Sequence, residues 1–289
     1  MLLNIKSKYI IKELFKNIKT NIKLKIIKYN KQLLNKLDIT KEDYQTYLDL
    51  KEFNDKYNLK IKNIDTESLN VVHQTLGNEG FEYLSKIKFR QLKEIDFFWV
   101  GTLNINILEK FNLENLEILS LFYVGISDIK VLEKLGCKNL KQLHLEVGYI
   151  SDINILELVD FKELKILSLH SNEISDINVL ERANFEKLEK LDLASNKISD
   201  INVLERVNFE KLEQLNLSNN KISDINVLER FKFLKLNILE LNKNNIIDIS
   251  VFGRVTFEKL ENLYLDDNII NRDISIISKL KSEIKYLII

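Results

Sequence analysis

Apolar and polar residues alternate in a short triplet that returns every 24 residues along most of this chain. The triplets begin at Ile95, Leu119, Leu143, Leu167, Leu191, Leu215, Leu239, Leu263 and Leu287. Alternation at that period predicts a half-buried strand. Between strands the wording is close to constant: NKISDINVLER at 196–206 is repeated at 220–230, and ISDINVLER also stands at 174–182. Eight steps without a slip make this a stack of structural repeats rather than one folded globule.

One unit, Leu188 to Lys211, shows what each repeat does. Leu191 and Leu193 point inward from the strand. Asn196 follows, then Ile198, then Ser199 and Asp200, both good residues for opening a helix. Ile201, Leu204 and Val207 fall at a three-residue, helical spacing, and Phe209 and Leu212 bring the chain back. The unit is therefore a strand, a tight turn and a short helical return. Because each unit repeats in the same sense, its strand lies parallel to its equivalents. One unit has no way to bury its own apolar face, and a stack does.

The asparagine has a specific task. The turn after each strand leaves backbone groups without strand partners, and an amide carries both donors and an acceptor to satisfy them from inside. Asn172, Asn196, Asn220, Asn244 and Asn268 hold that position, while Val100, Val124 and Gly148 replace it in earlier units. The early turns are expected to differ in shape. Asp128, Asp152, Asp176, Asp200, Asp224 and Asp248 precede the helical returns, where capping rather than calcium binding accounts for them.

LEKLDLASNKI and LEQLNLSNNKI match the leucine-rich repeat signature, and the I-S-D-I-x-x-L continuation resembles internalin-type repeats and those of the leucine-rich regulatory subunit of protein phosphatase 1. Those families run near 22 residues per unit against 24 here. The resemblance covers about 69–289 and includes a degenerate first unit at 69–94, where GFEYLSKIKFRQLKEI matches the return half of DINVLERANFEKLEKL. It implies an α/β leucine-rich repeat solenoid, with a curved parallel sheet on the concave face and short helices on the convex face. A helical cap over 1–68 precedes the repeat domain at 69–289. The motif specifies architecture and is nearly silent on function.

Composition changes this picture in three places. The formal net charge is zero, yet residues 1–36 hold ten lysines and one acid, Glu13. Lysine without arginine in a Lys-rich chain reads as a solvated face, so no nucleic-acid partner is expected. Cys137 is the single cysteine and closes no internal disulfide, which points to a reducing, cytoplasmic setting. No signal peptide is legible, and no run of about 18 apolar residues predicts a membrane span. No phosphate loop, metal-spaced Cys/His set or nucleophile–base pair appears, so neither an enzyme nor a cofactor is expected.

Positions between and after the strand leucines are free of core duty, and their chemistry informs on binding. The residue after each triplet runs Phe98, Phe122, Glu146, His170, Ala194, Ser218, Asn242, Asp266, and the next runs Trp99, Tyr123, Val147, Ser171, Ser195, Asn219, Lys243, Asp267. His144 and Tyr264 stand at triplet centres. Exposed aromatic residues anchor protein interfaces. The expected partner-binding set is Phe98, Trp99, Phe122, Tyr123, His144, Glu146, His170 and Tyr264. The rival reading has the N-terminal helices lying on the four aromatics as core. His144, Glu146 and His170 are near neighbours, but a recognition surface is the commoner use of such histidines than zinc.

The N-terminal segment reads as three helices: SKYIIKELFKNI, NIKLKIIKYNKQLLNKL and TKEDYQTYLDLKEFNDKYN. A short helical module before leucine-rich repeats resembles the F-box arrangement, loosely and without its Leu-Pro opening or later Trp. That resemblance implies a cullin-ligase substrate receptor contacting its adaptor through residues 1–40. A third reading, a surface adhesin of internalin type, is disfavoured by the missing signal peptide. The chain ends inside an expected strand, KYLII, whose free edge would favour self-association. The sequence reading is thus a non-catalytic intracellular scaffold for a protein partner.

Overall fold

A computed structural model describes residues 40–73, 76–271 and 273–289, together with Ile10, Ile11, Leu14, Phe15, Ile18, Ile22, Lys23, Lys25, Ile26 and Leu37. The first two expected helices, and with them the F-box-like resemblance, lie outside the described residues apart from those isolated positions. Ten strands form one parallel sheet in sequence order. They are β1 (Ser68–Val72), β2 (Glu94–Phe98), β3 (Ile118–Phe122), β4 (Gln142–Glu146), β5 (Ile166–Ser168), β6 (Lys190–Asp192), β7 (Gln214–Asn216), β8 (Ile238–Glu240), β9 (Asn262–Tyr264) and β10 (Tyr286–Ile288). Leu119, Leu143, Leu167 and Leu191 stand opposite one another in register, as the 24-residue period requires. The first step is longer: Leu69 pairs with Ile95, 26 residues on. This is the leucine-rich repeat solenoid that the sequence predicts.

Inward-pointing leucines, the isoleucines of the ISDI motif and the Val-Leu pair of each return make one continuous core. Phe161, Phe185, Phe209 and Phe233 run beside them as a buried spine. Cys137 stands in the same column, 2% exposed. The returns from Ile105–Lys110 to Asn226–Arg230 are 3₁₀ turns of four to six residues rather than α-helix. The three-residue spacing of Ile201, Leu204 and Val207 is the 3₁₀ period itself, and 3₁₀ runs longer than three or four residues are uncommon. Each expected capping aspartate does open its return: Asp200 Oδ1 accepts the Asn202 N–H at 2.8 Å, and Asp176 and Asp224 do the same to Asn178 and Asn226 at 2.8 Å.

The asparagine column forms a ladder. Asn220 Oδ1 accepts the Ile198 N–H of the preceding repeat at 3.0 Å. Its Nδ2 donates to Leu193 O (3.0 Å), Leu217 O (3.1 Å) and Ser218 O (3.2 Å). Asn172, Asn196 and Asn244 repeat this pattern. The amide thus takes carbonyls at the strand end, and the strands shorten accordingly, from five residues in β1–β4 to three from β5 on. Gly148 marks the changeover. A Cβ there would sit 2.7 Å from Ile126 O and 2.9 Å from Asn172 Oδ1, so only glycine lets the first asparagine close against the unit before it.

The N-terminal end of the stack is closed by α1 (Lys41–Tyr57) and α2 (Gly77–Lys86). A capping box between Thr40 and Asp43 starts α1, and Asn58 in a left-handed conformation ends it. Tyr47, Leu50 and Phe53 are buried, with Phe53 stacked on Tyr83 of α2 at 5.7 Å. Phe81 of α2 then meets Phe97 of β2 at 5.2 Å. Ion pairs from α1 to the loop before β2, Glu42 with Lys88 and Asp43 with Arg90, fix its position. At the far end α3 (Val251–Arg254) and α4 (Ile274–Glu283) replace the 3₁₀ turns.

Removing one rung of the ladder strands several buried backbone groups. Asn220→Ala is expected to cost about 3 kcal/mol, since each unsatisfied buried group costs about 1–3 kcal/mol. Asn268→Ala, at the half-buried end of the ladder, is expected to cost less. Urea unfolding of both variants checks this, and equal losses would contradict the ladder account.

Candidate functional site

Alternate residues of each strand point away from the core onto the concave face. On β2 these are Glu94, Asp96 and Phe98, on β3 Ile118, Ser120 and Phe122, and on β4 Gln142, His144 and Glu146, in register across the three strands. All nine are half-buried. The sheet presents them as a grid of half-buried side chains, three from each strand.

Phe98 and Phe122 stack at 5.1 Å with planes 15° apart. Trp99 and Tyr123, the next residues, stack at 5.9 Å and 28°. Edge contacts at 6.2 Å (Phe98–Tyr123) and 5.0 Å (Phe122–Tyr123) join the two pairs into one cluster. Trp99 is 60% exposed and Tyr123 49%. The rival expectation, that N-terminal helices cover these rings, does not describe α1. That helix packs against α2, and the rings of Trp99 and Tyr123 stay exposed.

His73 belongs to this cluster and was not singled out in the sequence. Its ring lies 5.5 Å from Trp99 and 5.1 Å from Phe98. The 26-residue first step hides it from a strict 24-residue count, although it stands just after the SLNVV strand as Trp99 stands after EIDFF.

Backbone conformation adds something the side chains alone do not reveal. His73, Trp99, Tyr123, Val147, Ser171, Ser195, Asn219, Lys243 and Asp267 all have φ between 51 and 57°. This left-handed turn takes the chain out of each strand from β1 to β9. It suits Asn219 and Asp267, whereas for bulky or β-branched residues it is strained. Trp99, Tyr123 and Val147 therefore hold large side chains where the fold favours small polar ones.

His144 and Glu146 adjoin the aromatics, with His144 Nδ1 3.2 Å from Glu146 Oε1 and Nε2 3.4 Å from Gln142 Oε1. Burial pushes the Glu146 carboxyl up, but hydrogen bonds from His144 and Ser168 and the nearby charges of His144 and His170 outweigh it, and the net direction is down. His170 lies one strand further, its Nδ1 3.9 Å from Asp192 Oδ1 and without a hydrogen-bond partner. Asp96 is held above the usual carboxylate range by burial, against an opposing contact with Ser120. Glu240 is raised by burial and by the charge of Asp192. Tyr264 is on β9, six strands from β3, roughly 29 Å away at about 4.8 Å per strand. It shares the face but not the cluster.

Among the described residues no three His, Cys, Asp or Glu side chains converge as a metal site. Burial pushes the Cys137 thiol up to about 12, which leaves it un-ionised at neutral pH. Among the described residues no helix is long and apolar enough to cross a membrane.

Comparison with known proteins agrees with this geometry. The pattern for leucine-rich repeats in two copies matches residues 162–206 and 186–230. The structure of a TLR13–ssRNA13 complex is similar with a TM-score of 0.53 and 24% identity, over 72% of this chain and 29% of that one. The functional domain of InlJ from Listeria monocytogenes, which includes a cysteine ladder, is similar at 0.50 and 20%, over 78% of this chain and 44% of that one. An internalin C2 from the same organism shares 26% identity at a TM-score of 0.45, over 61% of this chain and 81% of that one. No curated protein sequence matches. The chain thus folds as a leucine-rich repeat solenoid whose repeats match the family pattern over 162–230, and such solenoids generally serve protein–protein interaction.

Relieving the strain at Val147 is expected to stabilise the fold. Val147→Asn should gain about 1 kcal/mol, the scale of the left-handed penalty. A urea midpoint that stays put or falls would refute the strain argument.

Proposed function

We propose that this protein is a non-catalytic scaffold that binds a protein partner on its concave face, anchored by Phe98, Trp99, Phe122 and Tyr123 with His73 alongside. One observation carries the reading: large rings stand open to solvent at backbone positions that disfavour them. Trp99 stands at φ 51°, a conformation that costs a bulky residue, with most of its surface in water. Exposed aromatics of this kind are typical interface anchors, offering large contact area at low entropic cost. His144, Glu146 and His170 extend the surface toward β5, and the remaining concave positions, Tyr264 among them, form its periphery. The lone buried thiol supports a reducing compartment as the working environment.

Affinity purification from lysate of the source organism tests this. Proteins retained by the wild-type chain are expected to be lost with Trp99→Asn/Tyr123→Asn and kept with the convex-face variant Glu181→Gln. The double variant should melt at or slightly above the wild-type temperature, because asparagine suits the left-handed turn. Retention of the same proteins by the double variant would move the interface elsewhere, and a collapsed melt would make the rings core.

A further inference from the structure

The aromatic face has an uneven electrostatic surround, and this bears on the partner's chemistry. The concave grid of β2–β4 carries three carboxylates, Glu94, Asp96 and Glu146, and neither Lys nor Arg. Along the strand edges several acids are matched across repeats: Glu117 with Lys141 and Glu189 with Lys165 at 2.7 Å, and Glu163 with Lys187 at 2.6 Å. The lysines bordering this grid, Lys93 and Lys141, are engaged by Glu67 and Glu117 along the strand edge. Glu146 has His144, whereas neither Asp96 nor Glu94 makes an ion pair with a described residue.

Covering this grid with a purely apolar partner would bury Asp96 without a counter-charge, which is costly. A phosphate or an acidic segment would meet three carboxylates. A basic side chain fits both parts of the surface. Its aliphatic stem packs on rings while its charged head reaches a carboxylate. Asp96 is two residues from Phe98 on the same face of β2, and Glu146 lies in register beside Phe122.

We propose that the partner presents a cationic segment here, an arginine or lysine flanked by apolar residues. Its stem lies on Phe98 and Phe122, and its head pairs with Asp96, with Glu94 and Glu146 alongside. This rests on the reading that the aromatic face is a docking site. Arginine is the better fit, since its planar fork bonds a carboxylate bidentately and stacks on aromatic rings.

The test is selection of short random peptides displayed on phage against the full-length chain, followed by affinity measurement of selected peptides. Arginine or lysine beside aromatic or aliphatic residues is expected to be enriched. Asp96→Asn, or citrulline in place of arginine, is expected to weaken binding at least about tenfold, as for loss of a charge-assisted bond. Trp99→Asn/Tyr123→Asn should abolish it. The circular dichroism melt of each variant confirms the fold, and the citrulline peptide tests the same contact with the protein unaltered. Peptides that need Trp99 and Tyr123 but are neutral or acidic, or that ignore both Asp96→Asn and citrulline, overturn the cationic assignment and leave the docking face standing. If no selected peptide depends on Trp99 and Tyr123, both fall.

Discussion

The regular turns of this solenoid, those after β5 to β9, depend on one polar contact inside an otherwise apolar stack. A parallel strand that bends away after a few residues leaves carbonyls facing the core, where no water reaches them. The amide of Asn172, Asn196, Asn220 or Asn244 answers three of them and one N–H of the preceding repeat. Because the acceptors belong to two neighbouring units, the bond stitches repeat to repeat as well as closing a turn. Leucine columns alone would permit one unit to slide along the next. The amide does not, because a slip would strand its partners. Register and fold are specified by the same side chain.

The near-verbatim ISDINVLER motif follows from that fixed register. Its Ile, Val and Leu are buried and its Asp opens the 3₁₀ turn. Its Glu and Arg bind chiefly across repeats: Arg182 to Glu157, Arg206 to Glu181, Arg230 to Glu205 and Arg254 to Glu229, with one contact inside a unit, Arg206 to Glu205 at 3.5 Å. Each exposed pair contributes little alone. A ladder of them still requires the same two letters at the same place in successive units, which is why drift is so small there. The concave grid of β2–β4 has no such partner in the next repeat, and its composition changes freely from strand to strand.

Much of this was legible because a solenoid writes a three-dimensional object as one-dimensional columns. The strand leucines, the asparagine column, the capping aspartates and the concave aromatics all appear by counting 24. What counting misses is instructive. His73 falls outside the period because the first unit is two residues longer. The 3₁₀ form of the returns was visible as a three-residue spacing, but three and 3.6 are hard to separate over one turn. The left-handed turn at Trp99 and Tyr123 is invisible in letters, because aromatic residues there contradict local preference. Asn219 signals that conformation, and tryptophan conceals it. Whether a helix covers the rings is a question of docking that letters do not answer, and α1 docks through Phe53 on Tyr83 of α2.

The two ends of the stack therefore divide labour. From β5 to β9 the units carry the asparagine ladder, with small or polar residues at the left-handed position and charge pairs between repeats outside. Units β2–β4 lack the asparagine, hold Trp99, Tyr123 and Val147 under strain, and leave half-buried Asp96 without an ion pair among the described residues. In a single-core globule such defects would tax the whole structure. In a solenoid each repeat answers chiefly to its neighbours, so strain stays local and stable units hold the weaker ones in place. Gly148 is the seam: its missing side chain lets the regular half close against the irregular one. The part of the chain that departs from its own rule is the part that sets large aromatic rings outward, and that departure, more than any single ring, is what the proposed docking face rests on.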